Sequence, residues 1–223
     1  MRYGQQHKQA TRQRIIEAAG RRLKRDGIDG SGVSALMKDA GLTNGALYTH
    51  FASKDDLVAT VVADQLRTQN ATIVAQAAPG RAGLEQIVRW YLSARHRDSS
   101  DGCPSAALLD ELRRCTDLTK QAYTDGVLMV IDGIAARLAP RDPLSIRTKV
   151  LSAYAMMAGT LQLSRALTDR QLADELLEQG IRNTLSLLNV EHEPPEPRPD
   201  APGRRSTAAP TATDPLAPSR PAP

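Results

Sequence analysis

Aromatic residues are scarce in this chain: five tyrosines, one tryptophan and one phenylalanine among 223 residues. A core so poor in rings must be packed from aliphatic and small side chains, which suits helices in close contact. Cysteine is limited to Cys103 and Cys115, too few for a disulfide framework and in keeping with a reducing cytoplasm. No apolar run is long enough to cross a bilayer, so no membrane partner is expected. The polar, basic beginning of the chain carries no hydrophobic signal segment, so export is not expected either. His7, His50, His96 and His192 are scattered, and no cluster of histidine, cysteine and carboxylate has ligand spacing, which argues against a metal site. Catalytic signatures are missing too. There is no Gly-x-Ser-x-Gly elbow, phosphate-binding loop, dinucleotide fingerprint or zinc motif. Asp110 and Glu111 are adjacent, point in different directions on a helix, and make poor acid–base partners. Neither an enzyme nor a cofactor is expected.

What is present is helical periodicity. No segment alternates with period two, so the expected fold class is all-α. A first helix, roughly Lys8 to Arg25, carries Ile15, Ile16, Ala19 and Leu23 along one stripe, and a second carries Val33, Leu36, Met37 and Ala40. A long helix from Ser53 towards Gln76 holds Leu57, Val61, Val62, Leu66 and Ile73 inward and is broken by Pro79-Gly80. The next centres on Leu84 to Leu92 and fades in the polar stretch His96 to Asp101. Gly102-Cys103-Pro104 opens another, since proline suits a first helical turn. A further helix spans about Asp117 to Leu138. The last two show Ile146, Val150, Tyr154, Met157 and Leu161, then Leu172, Leu177, Ile181 and Leu185. After Asn189 the composition shifts: ten of the fourteen prolines lie between Pro194 and Pro223. Such a segment cannot offset its ordering entropy by burial. The expected layout is a three-helix unit over residues 1–57, a six-helix unit over 58–189, and a disordered Pro-rich tail over 190–223.

The densest signal is Gly41 to Lys54. Gly41 suits the left-handed turn that ends one helix, and Thr43 is placed to cap the next. Leu47 and Phe51 fall four apart and face inward, leaving Asn44, Tyr48 and Thr49 outside. Ser53 with Asp56 forms a capping box for the following helix. A short helix presenting polar groups, held by a turn against a partner, is the helix-turn-helix solution for reading a major groove. Upstream, residues 1–25 hold Arg2, Lys8, Arg12, Arg14, Arg21, Arg22, Lys24 and Arg25 against Glu17 alone, eight cations to one anion. Beside such a motif this reads as an electrostatic footprint for phosphates. Asn44 can bond bidentately to adenine. Thr43 is open to two roles, cap or base contact, and Gly45 allows close approach. The rivals to sequence-specific binding are a non-specific architectural DNA binder and, less favoured, a small helical enzyme.

The segment Thr11 to Leu57 resembles the DNA-binding domain of the tetracycline-repressor (TetR) family of bacterial transcription regulators. The matching parts are Thr11-Arg12, Ile15 to Ala19, Asp26-Gly27, Val33 to Ala40, Gly41-Leu42-Thr43, Leu47 to Phe51, and Ser53 to Leu57. The resemblance implies a ligand-responsive repressor that binds a palindromic operator in double-stranded DNA as a homodimer. It implies DNA contacts from Thr43, Asn44, Gly45, Tyr48, Thr49, His50 and Lys54. It implies a small, mainly apolar effector in a pocket whose candidate lining is Leu66, Trp90, Tyr123, Met129, Tyr154 and Met157, each also a candidate for plain core. The last two helices are the implied dimer interface, through Ile146, Val150, Leu161, Leu177, Ile181 and Leu185. Gly102-Cys103-Pro104 resembles an element of a subset of these regulators that includes some responding to electrophiles or oxidants. Cys103 would sit at a helix N-terminus that favours thiolate, with Arg95 and Arg97 near in sequence. A buried, inert cysteine is the competing reading.

Overall fold

The computed structural model describes residues 2–76, 78, 80–99 and 102–189, and every regular element among them is helical. α1 (Arg2–Asp26), α2 (Val33–Asp39) and α3 (Gly45–His50) form an amino-terminal head. α4 (Lys54–Gln76) leads out of it to α5 (Gly80–Tyr91), the single turn α6 (Ala94–Arg97), α7 (Pro104–Leu112), α8 (Asp117–Leu138), α9 (Arg147–Ala166) and α10 (Arg170–Leu187). The all-α class is as expected, but among the described residues seven α-helices, α4 to α10, follow the head where six are anticipated. The extra turn is α6, at the start of the stretch that reads as polar coil. Ser93 caps it, its hydroxyl accepting from the His96 N–H at 3.1 Å. Two of its polar side chains are buried with partners: His96 Nδ1–H donates to the Tyr91 carbonyl at 2.7 Å, and Asp98 and Asp174 hold the Arg97 guanidinium. A 3₁₀ turn, Pro143–Ile146, precedes α9, so Ile146 stands at its cap and not on its face.

Two apolar cores organise these helices. One gathers Ile15, Leu23, Leu36, Met37, Leu47 and Phe51 of the head with Leu57, Val61 and Leu66 of α4 and Leu108 and Leu112 of α7. The anticipated boundary after residue 57 therefore falls inside a continuous helix whose first half belongs to the head's core. The second core lies among α5, α8, α9 and α10, around Tyr91, Val130, Ile131, Tyr154, Leu161 and Leu177. α4 and α8 approach closely where Gly126 faces Leu66. A Cβ added there would lie 2.6 Å from Leu66 Cδ1, far inside van der Waals contact. The tail, residues 190–223, lies outside the described residues.

Candidate nucleic-acid interface and sensor cavity

The turn between α2 and α3 follows from Gly41. Its φ of +68° places it in the left-handed region, where glycine has no Cβ penalty. Its N–H donates to the Lys38 carbonyl at 2.9 Å and Leu42 N–H to the Met37 carbonyl at 2.9 Å. These two bonds form a Schellman ending, with Leu42 packed against the core that holds Met37. α3 then starts on backbone bonds alone: Ala46 N–H to Thr43 O at 3.0 Å and Leu47 N–H to Asn44 O at 3.2 Å. No side chain caps it, so the capping role expected of the Thr43 hydroxyl is not seen. Leu47 and Phe51 are buried, while Thr43, Asn44, Gly45, Tyr48 and Thr49 are exposed. The Arg12 guanidinium lies 4.7 Å from the Phe51 ring centre, tying α1 to the end of α3.

The next helix is capped as expected, with one change. Ser53 Oγ accepts from Asp56 N–H at 3.1 Å, and Asp56 Oδ2 accepts from Ala52 N–H at 2.9 Å, one residue ahead of the usual target. Lys54 has a partner within the fold. Its ammonium donates to the Ile28 carbonyl at 3.0 Å, clasping the α1–α2 loop instead of standing free for phosphate. The same loop is held from α7, where Glu111 Oε2 accepts from Asp29 N–H at 2.7 Å. His50 is half-buried, its Nδ1 without a partner. Burial, then Lys8 and Arg12, hold its pKa below the ordinary imidazole value. The basic arm is thinner than its composition: Arg22 is bound by Asp39 and Asp26, and Arg25 by Asp26. Lys8, Arg14 and Arg21 remain exposed.

In the second unit Cys103 is buried at the start of α7, ahead of Pro104. Its Sγ lies 3.5 Å from Tyr154 Oη, and Gln69 Nε2–H donates to it at 3.6 Å. Ser105 Oγ pairs with Tyr154 Oη at 2.9 Å and accepts from Tyr123 Oη at 3.0 Å. Tyr91 Oη is buried with no partner. Burial first, and Cys103 second, push the Tyr91 and Tyr154 phenols well up, so both stay protonated. A cavity of about 270 Å³ opens beside the thiol, lined by Lys24, Gln69, Thr72, Trp90 and His96. Trp90 stacks on His96 with ring centres 4.8 Å apart. Lys24 belongs to α1, so this cavity reaches the head directly. The expected arginine neighbours do not serve the thiol: Arg95 is exposed, and Arg97 is committed to Asp98 and Asp174. Cys103 and Cys115 are both free and belong to different cores.

Of the remaining pocket candidates, Leu66 and Met157 are plain core, and Met129 is 45% exposed, facing outward from α8. The residues expected at the dimer interface lie in or against the second core. Val150, Leu161, Leu177 and Ile181 are buried within the monomer, with Ile146 and Leu185 packed against them. The apolar groups left outside are Leu151, Ala155 and Leu163 on α9, beside the open Gly159, and Leu172 and Leu187 on α10. Sequence reasoning missed Gln69, Tyr91, Ser105 and His96. Gln65, Gln69 and Thr72 recur at helical spacing on α4 and could have signalled a polar face turned inward, whereas nothing local marks Tyr91.

Residues 15–61 match the family model for bacterial regulatory proteins of the tetR family. The HTH-type transcriptional regulator AcrR of Shigella flexneri is 38% identical over 56 residues, which cover 25% of this chain and 26% of that protein's length. The fold is shared more widely than the sequence. Escherichia coli NemR in its reduced form superposes with a TM-score of 0.68 at 16% identity, covering 79% of this chain and 96% of that one. A TetR-family regulator from Agrobacterium tumefaciens gives 0.66 at 17%, covering 80% and 97%. Bacillus subtilis FadR in complex with stearoyl-CoA gives 0.51 at 21%, covering 79% and 96%.

Proposed function

We propose that this chain, a TetR-family transcription regulator with a helix-turn-helix DNA-binding domain, is a repressor that grips a palindromic operator as a homodimer and lets go when an effector enters its second unit. The observation that carries this is the division of labour on α3. Leu47 and Phe51 lock the helix into the head, while Thr43, Asn44, Tyr48 and Thr49 are exposed with no cap to serve. Asn44 reads a base edge, worth about 1–3 kcal/mol of discrimination. Tyr48 and Thr49, with His50 and the exposed cations of α1, fix the register on phosphates. One head covers too few base pairs for useful specificity, and two related by a two-fold axis cover the halves of a palindrome. The outward band of α9 and α10 is the seam, Gly159 allowing close approach.

Release is a population shift: the effector binds the DNA-incompetent state better, by about 1–3 kcal/mol of coupling. The cavity beside Cys103 supports this reading, because its walls come from α1, α4, α5, α6 and α7 together. The effector is small and mainly apolar, or an electrophile that Cys103 captures. In conjugate addition Sγ bonds to the β-carbon of an activated alkene. The π pair moves to the α-carbon, which ends protonated as the thiol proton is lost, so no oxidant is required. A thioether there displaces Gln69 and Tyr154 from the sulfur. N-ethylmaleimide is expected to abolish operator binding by the native chain and spare Cys103→Ser. Loss of binding by both would remove the thiol from the mechanism. Asn44→Ala is expected to weaken operator binding about tenfold or more with an unchanged melting curve. Unchanged affinity would remove the assignment of Asn44.

A further inference from the structure

A groove of about 600 Å³ between α7, α8 and α9 is lined by Leu109, Leu112, Arg113, Lys120, Tyr123 and Gln162. It shares no lining residue with the cavity beside Cys103, and its volume is that of a small-molecule site. Leu112 is buried, Tyr123 half-buried, and Leu109 is 43% exposed, an apolar strip left open. Its rim is cationic. Asp110 is the one carboxylate among the lining residues, shared between Arg113 at 2.9 Å and Arg114 at 2.8 Å. Arg113 and Asp110 side chains are 69% and 73% exposed, so water screens their pair and holds it weakly. A better-placed anion can therefore recruit the Arg113 guanidinium at little cost. Lys120 is held no more firmly, its ammonium 3.7 Å from the fully exposed Asp117.

We propose that this groove is a second ligand site, taking a single-tailed amphipathic carboxylate. The tail lies along Leu109, Leu112 and the Tyr123 ring. The head meets Arg113, whose planar fork matches a carboxylate, and Lys120. The site goes beyond the effector at Cys103 and does not depend on DNA binding. It is nevertheless wired to the thiol. Tyr123 forms the groove wall with its ring and donates its hydroxyl to Ser105 Oγ at 3.0 Å. Ser105 pairs with Tyr154 Oη at 2.9 Å, and Tyr154 Oη lies 3.5 Å from Cys103 Sγ. A tail that shifts the Tyr123 ring moves the first link of this hydroxyl chain, and the last link is the thiol's own neighbour.

The test is calorimetric titration of the full chain with decanoate, with 1-decanol as the uncharged comparison. Saturable decanoate binding is expected, weakened about tenfold in Arg113→Gln/Lys120→Gln, with decanol binding unchanged by the two substitutions. Both side chains are exposed, and an unchanged melting curve verifies that the fold is kept. No saturable binding by the native chain, or undiminished binding by the double variant, overturns the site. For the relay, iodoacetamide alkylation of Cys103 is timed in a Cys115→Ser background. Decanoate is expected to change that rate, and to leave it unchanged in Tyr123→Phe. An equal response with and without the Tyr123 hydroxyl overturns the relay.

Discussion

Adding one methyl group at Gly126 tests how α4 is held. Helix propensity alone says that Gly126→Ala should stabilise the chain, because glycine inside a helix costs about 1 kcal/mol relative to alanine. Packing says the opposite. The new Cβ would stand 2.6 Å from Leu66 Cδ1 and 2.8 Å from Leu66 Cβ, where carbon atoms prefer about 3.5–4.0 Å. A rotamer change can move the Cδ1 atom but not the Cβ, which is fixed to the α4 backbone. The two helices must therefore part by the better part of an ångström. Overpacking of this kind costs about 1–3 kcal/mol. The net expectation is a loss of roughly 0–2 kcal/mol, which for a chain of this size lowers Tm by at most several degrees. Urea and thermal melts followed by circular dichroism measure it. Operator affinity should also change, because α4 carries Leu57, Val61 and Leu66 of the head's core. A variant stabilised by the full propensity gain, with native operator affinity, would refute the close approach of α4 to α8 at this point.

Three further outcomes are expected. Ser53→Ala removes the oxygen that accepts from Asp56 N–H and should cost about 0.5–2 kcal/mol in urea melts. Burial holds the pKa of His96 below its ordinary value, opposed by its bond to the Tyr91 carbonyl and assisted by Arg165 and Lys24. The unfolded chain therefore takes up the proton first as pH falls, so stability is full above about pH 6.5 and declines below it until the lower folded value is passed. His50 is shifted in the same direction, so His96→Gln should flatten the slope of the urea midpoint only in part. Leu163→Glu places a charge on the outward band of α9, where the native side chain is 54% exposed. It should convert a dimer to a monomer in sedimentation while the melting curve of the monomer stays intact.

The parts of this molecule that could be read from its residues are those set by local rules. Gly41, the inward pair Leu47 and Phe51, and the Ser53–Asp56 cap each depend on a few neighbours in sequence, and each is found where spacing and turn chemistry place it. The parts that could not be read depend on which side of an apolar helix meets the core. α9 carries Val150, Ala153, Tyr154 and Leu161 on one side and Leu151, Ala155 and Leu163 on another. Periodicity does not choose between the two, and four residues expected at the seam, Val150, Leu161, Leu177 and Ile181, lie in the core of the monomer. The partners of Lys54 and Arg97 are hidden from the sequence for a related reason. A long cation goes to whatever carbonyl or carboxylate the tertiary fold brings near: Ile28 lies 26 residues from Lys54, and Asp174 lies 77 from Arg97. The hydroxyl chain joining Tyr123, Ser105, Tyr154 and Cys103 comes from α7, α8 and α9 and exists only in three dimensions.

The central claim, that the exposed face of α3 reads a specific operator, is tested most directly by binding the purified chain to sheared genomic DNA from its source at physiological salt and sequencing what is retained. Sharp enrichment of one short palindrome, lost with Asn44→Ala, is the predicted result. Uniform retention with a steep salt dependence would contradict it and make the chain a non-specific DNA binder.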